Sequence, residues 1–137
     1  MVVDVVMNKA ATIERCLARV REEFGADGAE LGVDQRRQDA LVLNLLRACE
    51  TAIDLAMQAV RVRGLGAPQS SRDAFAKLVE AGLLGRGVGD DLQRMVGFRD
   101  IAVHRYQDLD LDVLRAIVRQ ELGGYGAFIT AMLRASD

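Results

Sequence analysis

Histidine, proline and tryptophan are nearly missing from this chain: one His, one Pro and no Trp in 137 residues. The single proline, with only four Phe and two Tyr, argues against an all-β sandwich, which needs frequent turn residues and aromatic strands. The two cysteines, Cys16 and Cys49, lie far apart inside apolar patterns. They read as small buried thiols, and without a disulfide framework nothing points to an oxidising compartment. One His and two distant Cys, with no close acidic pair aligned with them, make no zinc ligand set. The few serines fall in loops or at the C-terminus, which leaves no Ser-His-Asp triad. Long hydrophobic runs are missing too. The longest uncharged stretch, Leu122 to Leu133, has 12 residues, where a membrane span needs about 20. Asp4 and Lys9 interrupt the opening run of valines, so no secretory signal develops and a cytoplasmic, membrane-free protein is expected. Nor is there an excess of one charge: 18 basic and 20 acidic residues leave a net charge of −2. That balance disfavours a bulk cationic nucleic-acid binder. Sixteen of the eighteen basic residues are nonetheless Arg, whose planar fork of donors suits local phosphate contacts.

What is present is helix-forming sequence. Half the residues are hydrophobic and 28% are charged, a composition that fits one globular domain over residues 1–137. Five helical patterns fill it. Val6, Ala10, Ile13, Leu17, Val20 and Phe24 recur at three- and four-residue steps, predicting a helix over Val3–Phe24 stopped by Gly25 and Gly28. A long second helix is predicted from Asp34, as its cap, to Arg63. It carries two apolar stripes. One is Leu41, Leu45, Ala48, Ala52, Leu55, Ala59 and Val62; the other is Val42, Leu46, Cys49, Ile53, Met57 and Val60. Two stripes need two partners, and the second is expected to face another copy of the chain in a homodimer. A loop with the only proline leads to a short helix capped by Ser70 or Ser71 and ending near Ala81. Gly82–Gly89 is glycine-rich, but no strand precedes it and no Gly-Lys-Ser/Thr follows, so it reads as a flexible turn rather than a phosphate cradle. Asp90 or Asp91 is expected to cap a fourth helix, and Asp110 a fifth that runs to about Leu133 with Gly123, Gly124 and Gly126 weakening its middle. The fold class is therefore all-α: an antiparallel bundle of four long helices and one short helix, homodimeric.

One segment concentrates chemistry at the end of an otherwise apolar helix: Gly97-Phe-Arg-Asp-Ile-Ala-Val-His-Arg-Tyr106. His104 is the only imidazole, so it is the one candidate for a histidine base near neutral pH. Arg99 offers a permanent positive charge for phosphate, and Tyr106 a hydroxyl. Taken singly, these read as a capping or surface His, a boundary aromatic and, with Arg94 and Arg105, a solvated charged face. Together they are the groups needed for metal-free RNA cleavage, in which a base takes the 2′-hydroxyl proton and a cation stabilises the attacked phosphate. On an ideal helix Arg99 and Tyr106, seven apart, share a face, while His104 lies about 140° from Arg99. The three converge only if the helix frays near His104 or if a second chain completes the site.

Arg99-Asp-Ile-Ala-Val-His104-Arg-Tyr106 has the form R-x-x-x-x-H-x-Y and resembles the signature of the HEPN superfamily, specifically its HepT-type toxins. Ala48-Cys-Glu-Thr-Ala-Ile-Asp-Leu-Ala56, the short helix with Leu78, Leu92-Gln-Arg-Met-Val-Gly-Phe98 and the Asp108–Asp110 entry to the last helix extend the likeness to roughly residues 5 to 133. The resemblance implies a HEPN-like helical dimer acting as a metal-independent endoribonuclease toxin, with no cofactor and RNA, including tRNA, as substrate. It implies Arg99 and His104 as the catalytic pair, with Asp100 and Tyr106 in support. It also implies a minimal nucleotidyltransferase antitoxin of the MntA type that silences the toxin by adenylylating Tyr106. Arg94 and Arg105 from two subunits are expected to supply a local RNA-binding patch, and Arg36 and Arg37 at the start of the second helix a weaker addition. The alternative is a non-catalytic HEPN scaffold that binds a nucleotidyltransferase or a nucleotide. A helical dimer using the motif only structurally ranks last.

Overall fold

The periodic apolar residues build helices in chain order, and a computed structural model describes residues 1–136 as all-helical with no strand among them. Helix α1, Val3–Phe24, buries Val6, Ala10, Ile13, Leu17, Val20 and Phe24, the predicted face, and stops at Gly25 with φ of 70°. Helix α2, Gln35–Val62, starts where the Asp34 carboxylate accepts the Arg37 backbone N–H at 3.2 Å. It is the hub of the fold and packs against all the longer helices around it, α1 on one side and the later helices on the other.

That central position corrects the reading of the second stripe. Val42, Cys49, Ile53 and Val60 are 5% exposed or less, and Leu46 and Met57 are half-buried against the same core. Both stripes are thus covered within one chain, and the second is not left over for another copy. Only Val62, at the end of the first stripe, is half-exposed. Each fully buried Leu or Val contributes about 1.5–3 kcal/mol, so α2 is the main source of stability.

Helix α3, Ser71–Glu80, is capped by the Ser70 hydroxyl, which accepts the Asp73 N–H at 3.1 Å. Its Phe75 meets Phe128 edge-on at 5.6 Å. Helix α4, Arg86–His104, begins before the expected Asp90 or Asp91 cap, with Gly85 as its first flanking residue. The glycine-rich run is therefore part turn and part first turn of helix. Glycine has low helix propensity, but at Gly89 packing overrides it: a Cβ there would lie 2.5 Å from Val79 Cγ2, so glycine lets α4 cross α3 closely.

The expected fifth helix is two. Helix α5, Leu111–Gln120, is capped by Asp110 through the Asp112 N–H at 2.8 Å, and α6, Gly123–Ala135, follows a break at Glu121 and Leu122. Gly124 is buried where a Cβ would stand 3.2 Å from Asp91 Cβ, so the glycine run serves a close approach to α4 after a change of direction. The bundle of four long helices and one short is accordingly three long helices and three shorter ones, with short 3-10 turns at Ala29–Gly32 and Tyr106–Asp108. Cys16 and Cys49 are both buried, and burial pushes the Cys49 thiol up to about 12. Among the described residues no helix is long and apolar enough to cross a membrane.

Candidate functional site

The end of α4 organises the R-x-x-x-x-H-x-Y segment. The helix stops at His104 because Arg105 leaves helical geometry, with φ −144° and ψ 54°, while its N–H still reaches the Ile101 carbonyl at 2.7 Å. Tyr106 then opens the 3-10 turn Tyr106–Asp108. Arg99 and Tyr106 therefore do not share a face of one helix, which corrects the ideal-helix expectation.

Arg99 is the best-anchored member. Its side chain is 21% exposed, and each of its three nitrogens is engaged. Nη1 donates to Glu50 Oε1 at 2.7 Å, Nε to Asp100 Oδ1 at 2.9 Å and Nη2 to Ser71 Oγ at 3.4 Å. Three helices, α2, α4 and α3, thus fix one guanidinium. A guanidinium has a spare N–H on each terminal nitrogen after these bonds, so a phosphate can still be bound. The Glu50 hydrogen bond, aided by Asp100 and opposed by burial, raises the Arg99 pKa above its ordinary value. Asp100 remains half-exposed. His104 is exposed, and among the described residues its imidazole makes no hydrogen bond or ion pair.

Tyr106 is half-buried, and its hydroxyl donates to Asp39 Oδ1 at 2.5 Å. The same carboxylate oxygen accepts Gln35 Nε2 at 2.8 Å. Burial first, then the Asp39 hydrogen bond and charge, push the Tyr106 pKa up to about 12; the tyrosine hydrogen bond in turn lowers that of Asp39.

Asp39 and Glu50 lie eleven residues apart on α2, on nearly one face and about 16 Å along the axis. Arg99 and Tyr106 are therefore tethered at two separate points of the same helix face. One chain joins Arg99 with Asp100 but does not bring the tyrosine hydroxyl to the guanidinium.

The other arginines divide. Arg94 pairs with Asp91 on its own helix and with Glu121 at 3.1 Å, tying α4 to the α5–α6 corner, and its charge is balanced by two carboxylates. Arg105 is exposed and has no ion pair among the described residues. Arg37 pairs with Glu23 at 3.8 Å, and Arg36 is exposed. Beside the motif, Phe98, Ile101, Leu109, Val113 and Ile117 line a groove of about 450 Å³ rimmed by Arg72 and Arg94. Val103 and Val113 are each 55% exposed.

Glu50, Ser71 and Asp39 hold the motif, and sequence reasoning did not single them out. Glu50 and Asp39 carried a signal, since eleven residues is close to three helical turns and puts two carboxylates on one stripe. Ser71 had none, because it competed with Ser70 for the capping role and only the structure shows that Ser70 takes it.

These features have counterparts in known proteins. The chain is 44% identical over 126 residues to the mRNA nuclease HepT of Shewanella oneidensis, a match spanning 92% of this chain and 94% of that one. A solved structure of a toxin–antitoxin with AMP-PNP superposes with a TM-score of 0.89 at 42% identity, covering 93% of this chain and 96% of that chain. The tri-AMPylated Shewanella oneidensis HEPN toxin in complex with its MNT antitoxin superposes with a TM-score of 0.88 at 43% identity, with the same coverage. Residues 13–132, which include the anchored Arg99, the exposed His104 and the tethered Tyr106, match the family described as ribonuclease HepT-like, and the chain belongs to that family.

Proposed function

We propose that the chain is a metal-independent endoribonuclease toxin of a toxin–antitoxin pair. The observation that carries this reading is the presence, on one helix end, of a pre-anchored, still donor-competent Arg99 and an exposed His104 in a relative of an mRNA nuclease. His104 takes the proton of a ribose 2′-hydroxyl through its imidazole nitrogen. That oxygen attacks the adjacent phosphorus, and the 5′-oxygen leaves with its electron pair, giving a 2′,3′-cyclic phosphate. Arg99, oriented by Glu50 and Asp100, stabilises the charge that develops on the phosphate oxygens. Asp100 and Tyr106 support the site. Arg105 contacts the RNA backbone, and Arg94 contributes less because two carboxylates already balance it.

The site is composite in this reading. The separation of Arg99 from Tyr106 along α2 leaves each chain with half an arrangement, and a homodimer sets two motifs together. The apolar groove beside α4 and the exposed Val103 and Val113 supply surface for that pairing. A nucleotidyltransferase antitoxin of the MntA type silences the toxin by adenylylating Tyr106. The AMPylated state of a 43% identical toxin bound to its antitoxin supports this. A phosphodiester there adds negative charge and bulk where an RNA phosphate must approach. Such a pair works in the cytoplasm, where its RNA, mRNA or tRNA, is found.

The test is intact mass of the chain expressed with and without the antitoxin, paired with an RNA cleavage assay in EDTA. Cleavage by the unmodified form alone, lost by at least about a hundredfold in His104→Ala with unchanged thermal unfolding, is the expected result. No cleavage of total RNA or tRNA by the unmodified chain would instead favour the scaffold reading, to which the net charge of −2 lends some support.

A further inference from the structure

We infer that Asp39 is the catalytic base for its own chain's modification, accepting the Tyr106 hydroxyl proton as a nucleotidyl group is transferred to that oxygen. The inference rests on the reading of Tyr106 as the target. The carboxylate already holds the reacting atom, 2.5 Å from the phenol oxygen, and Gln35 orients the same carboxylate oxygen at 2.8 Å. Asp39 is the charged group facing the phenol. A cavity of about 360 Å³ opens beside the ring, and the residues that line it with Tyr106 are uncharged: Gln35 and Gln38 from α2, Gln107 and Leu109 from the segment after α4, and Leu111 from α5. None of these described lining residues is a lysine, arginine or histidine that could stabilise a phenolate. With its pKa near 12 the phenol carries its proton at neutral pH, so the proton must leave during the attack.

The step balances with a nucleoside triphosphate held by the partner transferase as co-reactant. The Tyr106 oxygen forms a bond to the α-phosphorus, and the bond from that phosphorus to the bridging oxygen breaks. Pyrophosphate leaves with the electron pair, and the phenolic proton passes to Asp39. Asp39 is exposed, so it returns the proton to water. Its low proton affinity keeps it ionised throughout the physiological range, so the base is ready at any such pH.

The test follows mass gain on the full chain mixed with a purified minimal nucleotidyltransferase of the antitoxin type and ATP, from about pH 6 to pH 9. Wild type should react at a rate nearly independent of pH. Asp39→Asn should react at least about a hundredfold more slowly at neutral pH, with a rate that rises about tenfold per pH unit as solvent hydroxide replaces the carboxylate. Asp39→Glu keeps a carboxylate and should retain the flat profile even if slower, which carries the test should Asp39→Asn fold poorly by circular dichroism. Asp39→Asn reacting as fast as wild type with the same profile overturns the inference while leaving Tyr106 as the target. So does a steep pH dependence in Asp39→Glu. No mass gain on wild type overturns the target reading and this inference with it.

Discussion

Helix α2 and the end of α4 lie against each other yet are held by different forces. Along α2 most apolar side chains of both stripes are buried, with Val62 at the end left half-exposed, and the helix is fixed by many small, non-directional contacts. At the end of α4 the side chains that matter are partly or wholly exposed, and what holds them is a handful of directed polar bonds to α2 and α3: Arg99 to Glu50 and Ser71, Tyr106 to Asp39. The two regions meet on one face of α2, where a rigid hydrophobic rod doubles as a polar mounting rail. The candidate site lies where geometry depends on a few directed hydrogen bonds rather than on packing, which makes it easier to alter without unfolding the protein.

Breaking the packed side should have the largest effect on stability. Leu45 is fully buried, so Leu45→Ala should cost about 2–5 kcal/mol, read by denaturant unfolding. A cost under about 1 kcal/mol would show that α2 is not the rod described. Breaking the mounting rail should act on chemistry instead. Glu50→Gln leaves Arg99 with Asp100 and Ser71 and should lower cleavage about tenfold, some 1.4 kcal/mol in the barrier, with at most about 1 kcal/mol lost in folding because the pair is partly exposed. Equal cleavage would mean that Arg99 needs no partner on α2.

The tyrosine tether gives a pH signature. Folding raises the Tyr106 pKa to about 12, above the ordinary 10. The unfolded chain therefore releases this proton first, so its contribution to stability is intact below pH 10 and is lost as pH climbs from 10 towards 12. Tyr106→Phe should flatten that part of the alkaline unfolding curve, and tyrosinate absorbance in native wild type should not grow in near pH 10. An ordinary titration for Tyr106 would sever the tether. The smallest effect belongs to Arg94→Ala, whose exposed ion pairs should be worth no more than about 1 kcal/mol in thermal unfolding and less at high salt.

Which parts of this were readable from the residues follows the same division. The helix from Val3 to Phe24, the Asp34 and Asp110 caps, a serine cap at Ser70 or Ser71 and the burial of both cysteines were legible, because periodicity and capping are local properties of neighbouring residues. The start of α4 was not, because the low helix propensity of glycine gives no sign of the packing at Gly89, where Val79 of α3 leaves no space for a Cβ. The break between α5 and α6 was half legible: the glycines marked the weak point, but whether the chain bends there depends on what Gly124 must approach.

For the candidate site, the sequence singled out Arg99, Asp100, His104 and Tyr106 through a short pattern of neighbouring residues. It also determined that α2 has two apolar stripes. That both stripes are covered by the same chain, that the helix ends at His104, and that Glu50, Ser71 and Asp39 are the partners that hold the motif emerged only with the packed fold. The reason is range: a helix period is written over a few neighbours, whereas a hydrogen bond between residues 39 and 106 exists only once packing has brought two helices together.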